Sequence, residues 1–192
     1  MKTCENICWQ YKNDLKHLYP LKEIDEFIRM AFFKLSDWNR IDISLNRSTD
    51  INKDEVFAHE NIINRLSKYE PIQYILQETI FYNLVITVKE GVLIPRPETE
   101  ELVHWVLDFV KDNDRVLDVG TGSGCIALAI KSFNDSISVT GFDNCSNAIS
   151  IAKENSRNLN LDVSFVNENI LAPKSHEKPW DIIISNPPYI PF

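Results

Sequence analysis

The stretch Val116-Leu117-Asp118-Val119-Gly120-Thr121-Gly122-Ser123-Gly124 constrains this chain more than any other part of it. A mainly apolar strand runs straight into glycines at alternate positions, and a helical segment follows at once. That order is the opening of a strand–helix unit in an open α/β sheet. The absent side chains let backbone approach a ligand closely at the strand's carboxyl end. The spacing points away from a dinucleotide. Such a fingerprint wants G-x-G-x-x-G, which needs glycine at 125, where Cys125 stands.

The rest of the chain's second half alternates in the same way. Strands are expected at Arg115 to Val119, Ile137 to Phe142, Val163 to Val166 and Trp180 to Ser185. Helices are expected after Ser123 and from Ser146 to Asn158, giving an α/β parallel-sheet pattern. Ala172 to Pro179 reads as a surface connection. The second strand delivers Asp143 to its tip, where a carboxylate can accept both hydroxyl hydrogens of a ribose. The competing role for Asp143 is a helix cap, but Ser146 is available for that.

Before the sheet the periodicity is helical. Ile7, Cys8, Tyr11, Leu15 and Leu18 share one face, and Ile24, Phe27, Ile28, Ala31, Phe32 and Leu35 share another. Asp50 is positioned to cap a third helix carrying Val56, Phe57, Ile62, Ile63 and Leu66. After Glu70-Pro71 the period becomes strand-like, with Thr79 to Tyr82 and Leu84 to Val88 flanking Asn83, a residue that tolerates a tight turn. Pro95-Arg96-Pro97 ends that stretch, and Glu98 onward opens an amphipathic helix with Leu102, Val103, Val106 and Phe109 apolar. The expected organisation is a helical bundle over 1–75, a β-hairpin linker over 76–95 and an α/β domain over 96–192.

Composition narrows the function classes. With 44% hydrophobic and 25% charged residues the chain is globular, and its net charge of -8 provides no overall basic field for nucleic acid. Cys4 and Cys8 lack C-x2-C spacing and read as apolar positions one helical turn apart. Histidines 17, 59, 104 and 176 show no metal-ligand spacing, so no metal is expected. No secretory segment or membrane-length apolar run is present, which reads as a cytosolic protein.

The last expected strand delivers Asn186-Pro187-Pro188-Tyr189 to the same carboxyl edge as the glycine loop. A planar NH2 group has two hydrogens to place. The Asn186 side-chain carbonyl and the Pro187 backbone carbonyl can accept one each. The two prolines restrict the backbone, and Tyr189 offers an aromatic face to a planar amide or base. An ordinary Pro-Pro turn is the bland alternative, but the coupling with the glycine loop and Asp143 favours a site. An amide nitrogen is a poor nucleophile, so orientation must carry much of any group transfer to it. Near-attack positioning can contribute roughly 7 to 11 kcal/mol at its upper range without a strong base.

These residues resemble the HemK/PrmC family, protein-(glutamine-N5) methyltransferases of peptide chain release factors. The resemblance includes Glu70-Pro71-Ile72-Gln73-Tyr74-Ile75, Phe81-Tyr82, Gly91 to Glu100, Val116 to Ile130 and Ser185 to Pro191. The stretch Ile94-Pro95-Arg96-Pro97-Glu98-Thr99-Glu100 narrows the family most. The resemblance implies an S-adenosylmethionine-dependent, Rossmann-like methyltransferase acting on the glutamine of a Gly-Gly-Gln motif. Gly120, Thr121, Gly122, Ser123, Gly124 and Asp143 would bind the cofactor, with Asp118 near its amino acid part. Asn186 would stand between cofactor and substrate, with Asn186, Pro187 and Tyr189 catalytic and Pro188 and Arg96 helping to hold the glutamine. Glu98 lies in the same segment as Arg96, and the helical domain would help dock the release factor.

Some positions depart from the family's pattern. Gln77 and Asn83 stand where it usually has glycine. Asn169 stands where an acid is usual, and it would meet the adenine amino group through its carbonyl while Ile170 packs on the ring. The end of the chain at Phe192 reads as a truncated sheet. Two rival readings therefore stand beside protein-glutamine methylation: a nucleic-acid amino methyltransferase, and a non-catalytic remnant that still binds release factor.

Overall fold

The computed structural model describes residues 2–172 and 179–187 of the chain. They form two compact units, divided between Leu76 and Gln77. The boundary places the hairpin with the sheet unit.

In the first unit, β1 (Lys2–Thr3) leads into α1 (Cys4–Leu15), α2 (Leu21–Ser36), α3 (Arg40–Leu45), β2 (Asp50–Ile51), α4 (Lys53–Leu66) and α5 (Ile72–Leu76). The apolar stripes meet as their spacing requires: Cys4, Ile7, Tyr11 and Leu15 of α1 share one core with Ile24, Phe27, Ile28, Ala31 and Phe32 of α2. From α4, Ile62, Ile63 and Leu66 join it, and Val56 packs partly against it. Phe57 does not, being 71% exposed. One residue beyond Val56, it is turned about 100° around the helix from the buried stripe.

Three local features depart from the sequence reading. Asp50 does not cap α4, because it pairs with Thr3 in the β1–β2 ladder. Asn52 caps instead, its side chain accepting the Glu55 amide at 2.9 Å. The short helix α3 was not expected. Its capping box, with Asn39 accepting from Asp42 and Asp42 accepting the Asn39 amide, is its sequence signature.

The second unit begins with the hairpin β3 (Glu78–Phe81) and β4 (Leu84–Thr87), paired from Glu78↔Thr87 to Phe81↔Leu84. Its two-residue turn, Tyr82-Asn83, has φ of 50° and 62°, the left-handed pair that matches strand twist in a hairpin. Gln77, just before β3, is also left-handed at φ 57°. Both positions where the resemblance leads one to expect glycine therefore have a backbone that favours it.

Next come α6 (Pro97–Leu107), β5 (Arg115–Val119), α7 (Cys125–Phe133), β6 (Ser138–Asp143), α8 (Ser146–Leu159), β7 (Val163–Asn167) and β8 (Ile182–Ser185). Pro97 starts α6 where its missing N–H costs nothing. The helix stops at Leu107, so Phe109 lies beyond it, 60% exposed, with its ring edge-on to Trp105. The four strands run parallel in the order β7-β6-β5-β8. The chain steps outward from β5 to β6 and β7, then returns to the other side of β5 as β8. That reversal is a topological switch point, and the crevice for a ligand lies at the carboxyl ends of β5 and β8. Among the described residues, no helix is long and apolar enough to cross a membrane.

Candidate functional site

The sheet register brings the candidate residues to one edge. Val119 pairs with Phe142 on one side and Ser185 on the other, and Asp143 pairs with Asn167. Gly120, Asp143, Glu168 and Asn186 therefore all stand just at or beyond the carboxyl ends of the four parallel strands.

The glycine loop is folded against β6. The Gly120 and Thr121 amides both donate to the Phe142 carbonyl, at 2.8 and 2.9 Å, and the Gly122 amide donates to Asp143 Oδ2 at 2.9 Å. Gly120 and Gly122 have φ of 74° and 55°, and a β-carbon on either would point into open space. Gly124, with φ 81°, forms the N-cap of α7, and a β-carbon there would come 2.8 Å from Phe165 Cζ. The first two glycines thus leave a bare backbone facing the crevice. The third permits close packing of helix against sheet.

Asp118 lies beneath this loop, 1% exposed, and accepts the Thr121 hydroxyl at 2.6 Å. Burial pushes its carboxyl up to about 6. The Thr121 hydroxyl and the Ala127 amide lower it, while the charge of Asp143 adds to the rise. Oδ1 makes no well-formed hydrogen bond among the described residues. The Ser123 hydroxyl, in a residue 2% exposed, is likewise without one. Asp118, Thr121 and Ser123 are therefore turned into the protein, beneath the loop rather than along its outer face. Cys125, the first residue of α7, has its thiol pushed up to about 12 by burial and is no nucleophile.

Asp143 holds two backbone amides, Gly122 on Oδ2 and Cys145 on Oδ1, both at 2.9 Å. An ionised carboxylate has about four acceptor sites, so it can hold these amides and still accept a pair of ribose hydroxyls. Ser146 does not cap α8. It is the first helical residue, and the N-cap is Cys145, which offers no side-chain bond. Asp143 consequently shapes the entry to α8 as well as the loop. Asn169 is exposed after β7, its Oδ1 accepting the Leu171 amide at 3.0 Å, and Ile170 beside it is 42% exposed.

Asn186 follows β8, whose last residue, Ser185, is tied by its hydroxyl to the Val119 carbonyl at 2.8 Å. The Asn186 side-chain NH2 donates to Thr99 Oγ1 at 3.1 Å. Pro187 is exposed next to it. Pro188 and Tyr189 lie outside the described residues. Arg96 is the exposed N-cap residue of α6, three positions before Thr99, and Glu98 is exposed as well.

Two groups were not singled out in the sequence. Thr99, 8% exposed, is one. The other is Asn155, fully buried on α8. Its Nδ2 donates to the carbonyls of Ser123 at 2.9 Å and Thr87 at 3.0 Å, and its Oδ1 accepts the Thr87 amide at 2.7 Å. It clamps the glycine loop to the hairpin. A polar residue at a core position of an otherwise apolar helical stripe was its only signal.

Residues 101–190 match the model of the methyltransferase small domain family. A release factor glutamine methyltransferase of Flavobacterium psychrophilum is 35% identical over 191 residues, covering 97% of this chain and 67% of that protein. This chain belongs to the release factor glutamine methyltransferase family. A second member, from Streptococcus pneumoniae, is 46% identical over 132 residues, covering 68% of this chain and 47% of its own length. The chain thus spans about half to two thirds of the length of these relatives. Among solved structures, a Pyrococcus abyssi tRNA (uracil-54, C5)-methyltransferase in complex with S-adenosyl-L-homocysteine aligns over 58% of this chain and 28% of its own. Its TM-score is 0.49 and its identity 21%.

Proposed function

We propose that this protein transfers a methyl group from S-adenosylmethionine to the side-chain amide nitrogen of a glutamine in a peptide chain release factor. The observation that carries the reading is convergence at the switch point: the glycine loop after β5, Asp143 at the end of β6 and the oriented Asn186 after β8 share one sheet edge. The family's release-factor specificity supports the choice of substrate. Such a reaction belongs in the cytoplasm, where release factors work.

The residues fit the cofactor. The open space over Gly120 and Gly122 admits its methionine part. Asp143 would accept the ribose hydroxyls, and Asn169 and Ile170 would hold the adenine. Asp118 and Thr121 act from below by fixing the loop's shape. When bound, S-adenosylmethionine would supply an electrophilic methyl, its sulfur keeping the carbon–sulfur electron pair and the surplus proton of the methylated nitrogen passing to solvent.

Everything else falls to the chain's own groups. The Asn186 carbonyl and the Pro187 backbone carbonyl accept the two hydrogens of the glutamine NH2 and so fix the direction of its lone pair. By the family resemblance Pro188 and Tyr189 would complete the glutamine site, and Arg96, the N-cap residue of α6, would help to hold the glutamine. The loss of amide resonance is met by positioning rather than by a base.

The test is transfer of labelled methyl from S-adenosylmethionine to a release factor and to a copy with the Gly-Gly-Gln glutamine replaced. Incorporation into the first alone, abolished by Asn186→Ala, is expected. Transfer to nucleic acid in place of the release factor would overturn the reading.

A further inference from the structure

The side-chain amide of Asn186 has two branches of nearly equal size and opposite function. Its carbonyl accepts hydrogen bonds and its NH2 donates them, so a half-turn about the last torsion would exchange them. In the reaction proposed above the distinction matters. A glutamine NH2 meets an acceptor productively, whereas two NH2 groups facing each other repel and turn the nitrogen away.

In the structure a neighbouring hydroxyl holds the amide in one of these two states. Asn186 Nδ2 donates to Thr99 Oγ1 at 3.1 Å. Thr99 sits in the first turn of α6, its own amide bonded to the Arg96 carbonyl at 3.0 Å. It is 8% exposed, and as a β-branched residue it has restricted rotamers. The same turn is anchored a second time, because the next residue, Glu100, accepts the Tyr82 amide of the hairpin at 2.9 Å. The hydroxyl is therefore held by a fixed piece of backbone. With Nδ2 directed at it, Oδ1 lies on the other branch of the same planar amide.

We infer that Thr99 is a positioning residue for amide methylation: its hydroxyl holds the NH2 of Asn186 so that the Asn186 carbonyl is presented to the substrate nitrogen. This rests on the glutamine-methyltransferase reading, and it assigns a role within the Pro97-Glu98-Thr99-Glu100 segment to a side chain that acts through Asn186. Thr99→Val keeps the shape and removes the hydroxyl. Thr99→Ser keeps the hydroxyl and removes a methyl.

The experiment combines two readouts on the 192-residue chain. In the first, the 15N-labelled side-chain amide of Asn186 is followed by NMR in wild type, Thr99→Val and Thr99→Ser. The expected result is a changed shift and faster rotation in the valine variant, with the serine variant restoring the wild-type signal. In the second, methyl transfer to a release factor is measured. Losing one neutral hydrogen bond and the fixed orientation should lower kcat about tenfold in Thr99→Val, with KM for the release factor little changed and Thr99→Ser recovering most of the rate. An Asn186 amide signal indifferent to Thr99→Val, or a valine variant with wild-type kcat, overturns the inference. If wild type transfers no methyl while its Asn186 amide still responds to Thr99→Val, the hydrogen bond stands and it is the methyltransferase reading that fails.

Discussion

Replacing Asn155 by alanine should loosen the glycine loop and the hairpin together. The side chain makes three hydrogen bonds in a fully buried position, one to the Ser123 carbonyl and two to the Thr87 backbone. A neutral hydrogen bond contributes roughly 1 kcal/mol net, and a buried partner left unsatisfied costs about 1 to 3. Thr87 is half-buried and can recover water, whereas the Ser123 end of the clamp is buried, so the sum is about 3 kcal/mol rather than the maximum. The assay is hydrogen exchange read by mass spectrometry, because the Thr87 amide is itself one of the donors. At about 1.4 kcal/mol per decade, protection of β4 should fall roughly a hundredfold. S-adenosylmethionine binding should weaken alongside it, since the Ser123 carbonyl belongs to the loop. Unchanged protection at Thr87 together with a stability loss below about 0.5 kcal/mol, the range of an ordinary surface substitution, would refute this account of the clamp.

Three further outcomes follow from the geometry. His59 is fully buried, bonded to Tyr11 at 3.1 Å, and burial lowers its ring to about 4 from 6.5. The unfolded chain therefore binds its proton first. The contribution is complete above pH 6.5 and is lost as pH falls towards 4, roughly 3 kcal/mol in all, and urea unfolding across that window should show a stability advantage over His59→Phe that shrinks with acid. Gly124→Ala places a β-carbon 2.8 Å from Phe165 Cζ at φ 81°. It should destabilise by about 2 to 4 kcal/mol in thermal melts, and a neutral result would refute the packing. Gln77→Gly relieves a left-handed backbone at φ 57° and should raise the unfolding midpoint by an increment worth about 1 kcal/mol, with no gain counting against the assignment.

The parallel sheet was legible because its strands are short apolar runs closed by glycine, aspartate or asparagine, and β5 appears with the bounds its pattern implies. The apolar stripes of α1, α2 and α4 were legible for the same reason. The misses have local causes. Asp50 and Asn52 are both good caps, and only the pairing of Asp50 with Thr3 decides between them. Ser146 yields the N-cap to Cys145 because Asp143 already holds the Cys145 amide. Phe109 continues the periodicity of α6 but stands beyond the helix's end. At the site, the sequence displayed groups with unmistakable chemistry, the glycines, Asp143 and Asn186. Thr99 and Asn155 act through contacts that span 87 and 68 residues, and no spacing rule along the chain reveals those.

Calorimetric titration of the folded 192-residue chain with S-adenosylmethionine, compared with Asp143→Ala, tests the central claim that the sheet edge is a cofactor site. Saturable binding that weakens at least tenfold in the variant is the predicted result. A chain with folded-state circular dichroism that takes up no S-adenosylmethionine, or binds it equally well without the Asp143 carboxylate, would contradict the account.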